Sequence, residues 1–326
     1  MFYSLPVEIQ LDVLKCLNFN QLFSFRQTNT YLRNLINKYE NGLARMEFSL
    51  LEIDTYDLIA CQKNGFKIIV PESSVSEFIL NDQLLEKWEE AIFESIPLYL
   101  HSISYNVGAK FSIYLKPNLL LKLPNIPKNI EEMLVIRFWL EQLFKCAFGE
   151  GRFIYNIFNP QMINLLFDND KTISQQFNIQ EPHVSLTNNL FDDSLKFTLN
   201  HLANSTNLTL NLYYVDYLKD YTDILFNILI NEGNKFPKIS FDRNGLEWIF
   251  DLIIEYIATS KDCSKMVSVI SLKCNNYPNS KLKKLAKNVE IYNGSSLIDY
   301  QITNIYNPKV KFGFSYSCSK VTIERM

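Results

Sequence analysis

Few side chains in this 326-residue sequence are suited to chemistry, chiefly the three histidines His101, His183 and His201 and six cysteines. Clustered imidazoles and thiolates could hold a transition metal, and a thiolate beside an imidazole could act as a nucleophile. The spacing offers neither arrangement. No histidine stands at a metal-ligand interval from another, and Cys16, Cys61, Cys146, Cys263, Cys274 and Cys318 include no C-x-x-C pair. Gly149-Glu150-Gly151 lacks the third glycine of a dinucleotide loop and reads as the stop of a helix. With 9 glycines in all, phosphate-cradling loops are not what this sequence is built from. The expectation is a protein with no catalytic residues, no cofactor and no metal.

Hydrophobic residues make up 47% of the chain and charged residues 21%, the composition of a folded protein. The 24 Phe and 18 Tyr fill cores or form recognition surfaces, and composition does not separate those uses. A net charge of -3 gives no field that attracts polyanions, so nucleic acid is not expected as the main partner. The one basic cluster, Lys281, Lys283, Lys284 and Lys287, suits the solvated end of a short helix. Glu8 and Asp12 interrupt the N-terminus before any long apolar run, and no stretch is long enough to span a bilayer. Scattered cysteines fit a reducing compartment, so a cytoplasmic or nuclear location is expected.

These residues need elements to place them. The N-terminus reads as three short helices: one opening at Pro6, one capped by Asn20, and one capped by Asn29 and running to Gly42. The first is apolar on two sides, with Ile9, Val13 and Leu17 in one stripe and Val7, Leu11 and Leu14 in another. A unit of about 40 residues covers only one such stripe, so the other needs a partner. Further helices are expected from Asn81 to about Ser95 and from Asn129 to Gly149, with strands at Lys67–Val70 and Lys110–Leu115.

Leu5-Pro6-Val7-Glu8-Ile9, Val13-Leu14, Leu17, Leu22, Phe25-Arg26 and Tyr31 to Ile36 together resemble the F-box consensus. The resemblance implies docking on a Skp-type adaptor, and through it a cullin scaffold of a ubiquitin ligase. The implied contact set is Leu5, Pro6, Ile9, Val13, Leu14, Leu17, Leu22 and Phe25. Thr28, Leu32 and Gln21 depart from the family's usual residues.

Beyond this module the sequence alternates strand and helix, with strands near Phe153, His183, Asn207, Lys238, Val267, Val289 and Lys309, and helices at Asp223–Asn231 and Leu246–Ala258. The expected class is α+β or α/β repeat, an F-box followed by a degenerate leucine-rich-repeat-like βα solenoid. The expected division is 1–45 for the F-box, 46–150 for a mixed segment, and 151–326 for the repeats. The layout is similar to that of divergent nematode-type F-box proteins, which implies that the repeats hold a protein substrate. Tyr213, Tyr214, Asp242 and Arg243 at strand ends are the candidate contacts.

A competing reading attaches to Leu165-Leu166-Phe167-Asp168-Asn169-Asp170-Lys171-Thr172, which resembles the opening motif of haloacid-dehalogenase-type magnesium phosphatases. That family uses the first Asp, here Asp168, as nucleophile and the second, here Asp170, to handle a proton. Pro160, Met162, Leu165 and Leu166 read instead as a helix ending in a polar loop. A repeat scaffold with no ligase role is the third reading.

Overall fold

Strands that alternate Leu208-Thr209-Leu210-Asn211-Leu212, Ile239-Ser240-Phe241 and Ile270-Ser271-Leu272 put every apolar residue on one face, which must be covered. In the computed structural model, which describes residues 2–55, 58–71, 78, 80–102, 111–168, 170, 173–273, 282, 288–291, 298–317 and 320–326, helices cover it.

The first unit is α1 (Val7–Lys15), α2 (Phe19–Thr28) and α3 (Thr30–Lys38). Then follow β1 (Met46–Thr55), α4 (Leu58–Lys63), β2 (Lys67–Ile69), α5 (Asp82–Phe93), β3 (Tyr99–His101), β4 (Phe111–Leu115), β5 (Leu119–Leu121) and α6 (Ile130–Phe144). Next come β6 (Cys146–Phe153), β7 (Asn156–Phe158), α7 (Pro160–Leu166), β8 (Phe177–Thr187), α8 (Phe191–His201), β9 (Leu202–Ala203) and β10 (Leu208–Tyr214). The chain ends with α9 (Thr222–Asn231), β11 (Lys238–Asp242), α10 (Glu247–Thr259), β12 (Val269–Lys273), β13 (Asn288–Ile291), β14 (Ile298–Thr303), β15 (Lys311–Ser317) and β16 (Lys320–Arg325).

Fourteen strands form one mixed sheet. Its centre is parallel, in the order β1, β6, β8, β10, β11, β12, each strand beside the one before it. Right-handed crossovers that always advance in one direction drop their helices on the same side of the sheet. The packing agrees: Phe153 of β6 meets Phe197 of α8 at 4.9 Å between ring centroids, and Phe250 of α10 meets Phe314 of β15 at 6.0 Å. Phenylalanines knit the middle of this layer, with Phe177 at 4.7 Å from Phe158 and 4.8 Å from Phe144. The outer strands are antiparallel: β4 pairs with β1 on one side, and β16, β15, β14 and β13 extend from β12 on the other.

Several expectations shift. Gly149 does not stop a helix. The helix ends at Phe144, and Gly149-Glu150-Gly151 lies inside β6, which starts at Cys146 and finishes at Phe153. A Cβ on Gly151 would sit 2.8 Å from Ile179 Cδ1, so a glycine lets β6 lie against its neighbour's side chain. Helix α2 is capped by Asn18, not Asn20. Asn18 Oδ1 accepts from Gln21 N at 3.0 Å while Gln21 Oε1 accepts from Asn18 N at 2.9 Å, which satisfies two orphan donors at once. Asn29 caps α3 as expected, but the helix ends at Lys38 and a short 3-10 turn covers Glu40–Gly42. The strands expected near His183, Val267 and Lys309 begin at Phe177, Val269 and Lys311, and the C-terminal strands form an antiparallel meander without intervening helices. Lys281, Lys283, Lys284, Lys287 and Lys110 lie outside the described residues.

The three-helix unit has its own small core of Leu14, Leu22, Leu35, Ile36 and Leu43. It is tied to the sheet layer by Arg45, whose Nη1 donates to the Phe144 carbonyl at 2.8 Å, and by Glu40, which pairs with Lys145 at 3.4 Å.

Two stability predictions follow from packing. Gly233 turns the chain between α9 and β11, donating to the Lys265 carbonyl at 2.8 Å, and a Cβ there would collide with the Met266 carbonyl. Gly233→Ala should lower the unfolding free energy by about 1–3 kcal/mol in urea denaturation. His201 is buried, its Nδ1–H donates to the Gln175 carbonyl at 2.9 Å, and burial, aided by the charge of Lys235, holds its pKa below 6.5. The unfolded chain therefore takes up this proton first, so stability should fall as pH drops through 6.5 toward the depressed folded value. Denaturation midpoints at mildly acidic and neutral pH should separate less in His201→Leu than in the parent chain; equal separation would show that the ring protonates in the fold without cost.

Candidate docking surfaces

Helix α1 can bury only one side in a bundle this small, and Leu14 is the residue that goes fully inside, at 0% exposure. Beside it sits Gln10, a buried amide with both ends satisfied: Nε2 donates to the Leu5 carbonyl at 2.8 Å and Oε1 accepts from the Tyr31 hydroxyl at 2.7 Å. The opposite side of α1 stays in solvent. Ile9 is 46% exposed and Val13 41%, four residues apart and so on one stripe, with Leu5, Pro6 and Val7 exposed ahead of them.

The contact set implied by the sequence thus divides. Leu5, Pro6, Ile9, Val13 and Phe25 are on the surface, Leu17 is half-buried against the bundle, and Leu14 and Leu22 are part of the bundle's core. Exposed apolar residues that the set left out are Tyr3, Val7, Phe23 and Tyr31. Tyr3 and Tyr31 make an edge-to-face pair at 5.6 Å, and the Tyr3 hydroxyl accepts from Asn29 Nδ2 at 2.6 Å. Val7 was legible as the residue that follows Pro6 at the head of an amphipathic run.

The second surface is the sheet face away from the helices. Between Asn211 and Tyr214 the pairing of β10 with β8 shifts register, three residues on β10 against two on β8. This bulge exposes Tyr213 and Tyr214 together, where a regular strand would bury one of them. Asn211 Oδ1 accepts from Tyr213 N at 3.0 Å and so satisfies the backbone donor that the bulge frees from the ladder. Tyr213 lies beside Lys273, whose Nζ donates to its hydroxyl at 3.1 Å and also pairs with Asp242. These two bonds raise the Lys273 pKa, Asp242 contributing most. The Tyr214 hydroxyl lies 3.1 Å from that of Tyr155.

Tyr213 and Asp242 are therefore brought together, through a lysine that sequence reading did not single out. Its signal was the alternation of β12, which turns Lys273 to the same face as Ser271. Arg243 is in a different situation. Its guanidinium donates to the carbonyls of Leu212 and Val215 and closes the β10 loop, a positioning task.

The segment with Asp168 and Asp170 follows helix α7. Asp168 pairs with Lys87, and Asp170 pairs at 2.6 Å with Arg137, a buried guanidinium stacked between Phe78 and Phe167. Each carboxylate thus has a protein cation as partner; Asn169, Lys171 and Thr172 lie outside the described residues. Among the described residues, no group of three or more His, Cys, Asp or Glu side chains could hold a metal ion, and no helix is long and apolar enough to cross a membrane.

Compared with known families, residues 69–213 match a domain of unknown function (DUF8381), and residues 2–43 match the F-box domain. No curated protein and no solved structure matches the chain. The F-box match covers all three capped helices and the exposed stripe of α1, and on that ground the chain is an F-box protein.

Proposed function

We propose that this protein is the substrate-recruiting subunit of a Skp-cullin-F-box-type ubiquitin ligase. The observation that carries the reading is the uncovered apolar side of α1 within a segment that matches the F-box domain. F-box domains generally bind Skp-type adaptors, and an exposed stripe with Leu5, Pro6, Ile9, Val13 and Phe25 offers the desolvation that such docking draws on. The adaptor would then connect the chain to a cullin, and the ligase would carry out the chemistry while this subunit holds the target.

The region beyond the F-box takes the target in this reading, as a βα solenoid with one open face. Its support is the order of the parallel strands, each beside its predecessor, and the even spacing of registered positions. Arg152, His183, Thr209, Ser240 and Ser271 pair in one row and recur 31, 26, 31 and 31 residues apart. Tyr213, Tyr214 and Asp242 belong to the open face, and Arg243 shapes the loop beside it.

The test is Ile9→Asp combined with Val13→Asp in the full chain. Both side chains are in solvent, so the thermal melt should stay unchanged while affinity for a Skp-type adaptor falls by about 30-fold or more. Undiminished adaptor binding by a folded double variant would overturn the assignment.

A further inference from the structure

One row of the open face has an unusual composition. Thr209 pairs with Ser240, Ser240 with Ser271, Ser271 with Thr322, and Thr322 with Ser315, so five neighbouring strands place a small hydroxyl residue at the same level. Toward β8 and β6 the row continues into His183 and Arg152, which are long and engaged with Glu150, at 3.7 and 2.7 Å. The hydroxyl stretch is therefore a trough with one raised end. Crossing five strands spans about 19 Å, the length of about six extended residues. The Ser271 hydroxyl on its floor is without a hydrogen-bond partner.

The walls are basic. On β11, β12, β16 and β15 the residues sharing the face of the trough include Lys238, Lys273, Lys320 and Lys311, against Asp242 and Glu324. Asp242 is already held by Lys273. Lys320 has its pKa lowered by burial first and by the charge of Lys238 second, so these two ammonium groups feel each other across the sheet. An anion between them would relieve that repulsion. At the bulge, Tyr213 and Tyr214 supply exposed aromatic surface beside the trough.

We propose that this trough is the docking groove for an extended, carboxylate-rich segment of the recruited protein, a reading that rests on the recruiting role proposed above. The segment lies across the strands, its acidic side chains reaching Lys238 and Lys320 while the hydroxyls of Thr209, Ser240, Ser271 and Thr322 meet its polar groups. Small floor residues leave the room that an incoming chain needs.

The experiment uses the full chain bound to its Skp-type adaptor and a fluorescein-labelled peptide of alternating glutamate and alanine, read by fluorescence anisotropy at low ionic strength. The matched lysine-alanine peptide is the control. The acidic peptide should bind and the basic one should not. Lys238→Glu with Lys320→Glu should weaken binding about tenfold or more, and Ser240→Trp should weaken it by filling the floor. All variants should keep their melting temperature and their adaptor. Absent binding of the acidic peptide, equal binding of the basic peptide, or undiminished binding by the charge-reversed variant would overturn the proposal. The two readings fail separately: a chain that binds the peptide but no adaptor loses its ligase role and keeps the groove.

Discussion

A wide sheet has two faces, and here the helices between its parallel strands all serve one of them. That one-sided burial is the constraint from which the rest of the structure follows. Leu208, Leu210 and Leu212, Ile239 and Phe241, and Ile270 and Leu272 form a continuous apolar sheet face, and α8, α9 and α10 supply the matching apolar helix faces. Because the strands advance in order, each added unit extends the same two layers without closing them. The side that receives no helix must satisfy itself with polar residues, salt bridges and hydroxyls, and it remains open to other molecules.

The three-helix unit applies the same rule at smaller scale. Its core holds five fully buried apolar side chains, too few to involve every apolar residue in the segment. Surplus apolar surface on α1 is thus a consequence of size as well as of function. The two docking surfaces differ in kind: one is aliphatic and depends on desolvation, the other is polar and depends on charge and shape. Affinity for a shared scaffold and discrimination among targets call for those two chemistries respectively.

How much of this was readable in the sequence depended on how local the determinant was. Helix caps at Asn29, Asn81 and Asn129 were legible because a side chain meets a backbone donor three residues on. The doubled stripe of α1 was legible from spacing alone. Gly149 and Gly151 were misread because their purpose, close approach to Ser49 and Ile179 on neighbouring strands, lies in residues distant along the chain. The antiparallel C-terminal strands look like the parallel ones residue by residue, and only pairing distinguishes them. Strand ends suggested Tyr213 and Asp242, while the lysine joining them and the hydroxyl row emerge only when the register is known.

Gln10 carries a consequence beyond its own two hydrogen bonds. By holding the Leu5 carbonyl with one end and the Tyr31 hydroxyl with the other, it locks the entering Leu5-Pro6 segment and α3 to the buried side of α1. The exposed side is then presented in a fixed conformation before any partner arrives. The ordering entropy of that segment is lost during folding, so association has correspondingly less disorder to remove. A single buried amide, which contacts no partner, thereby acts on binding affinity through preorganisation.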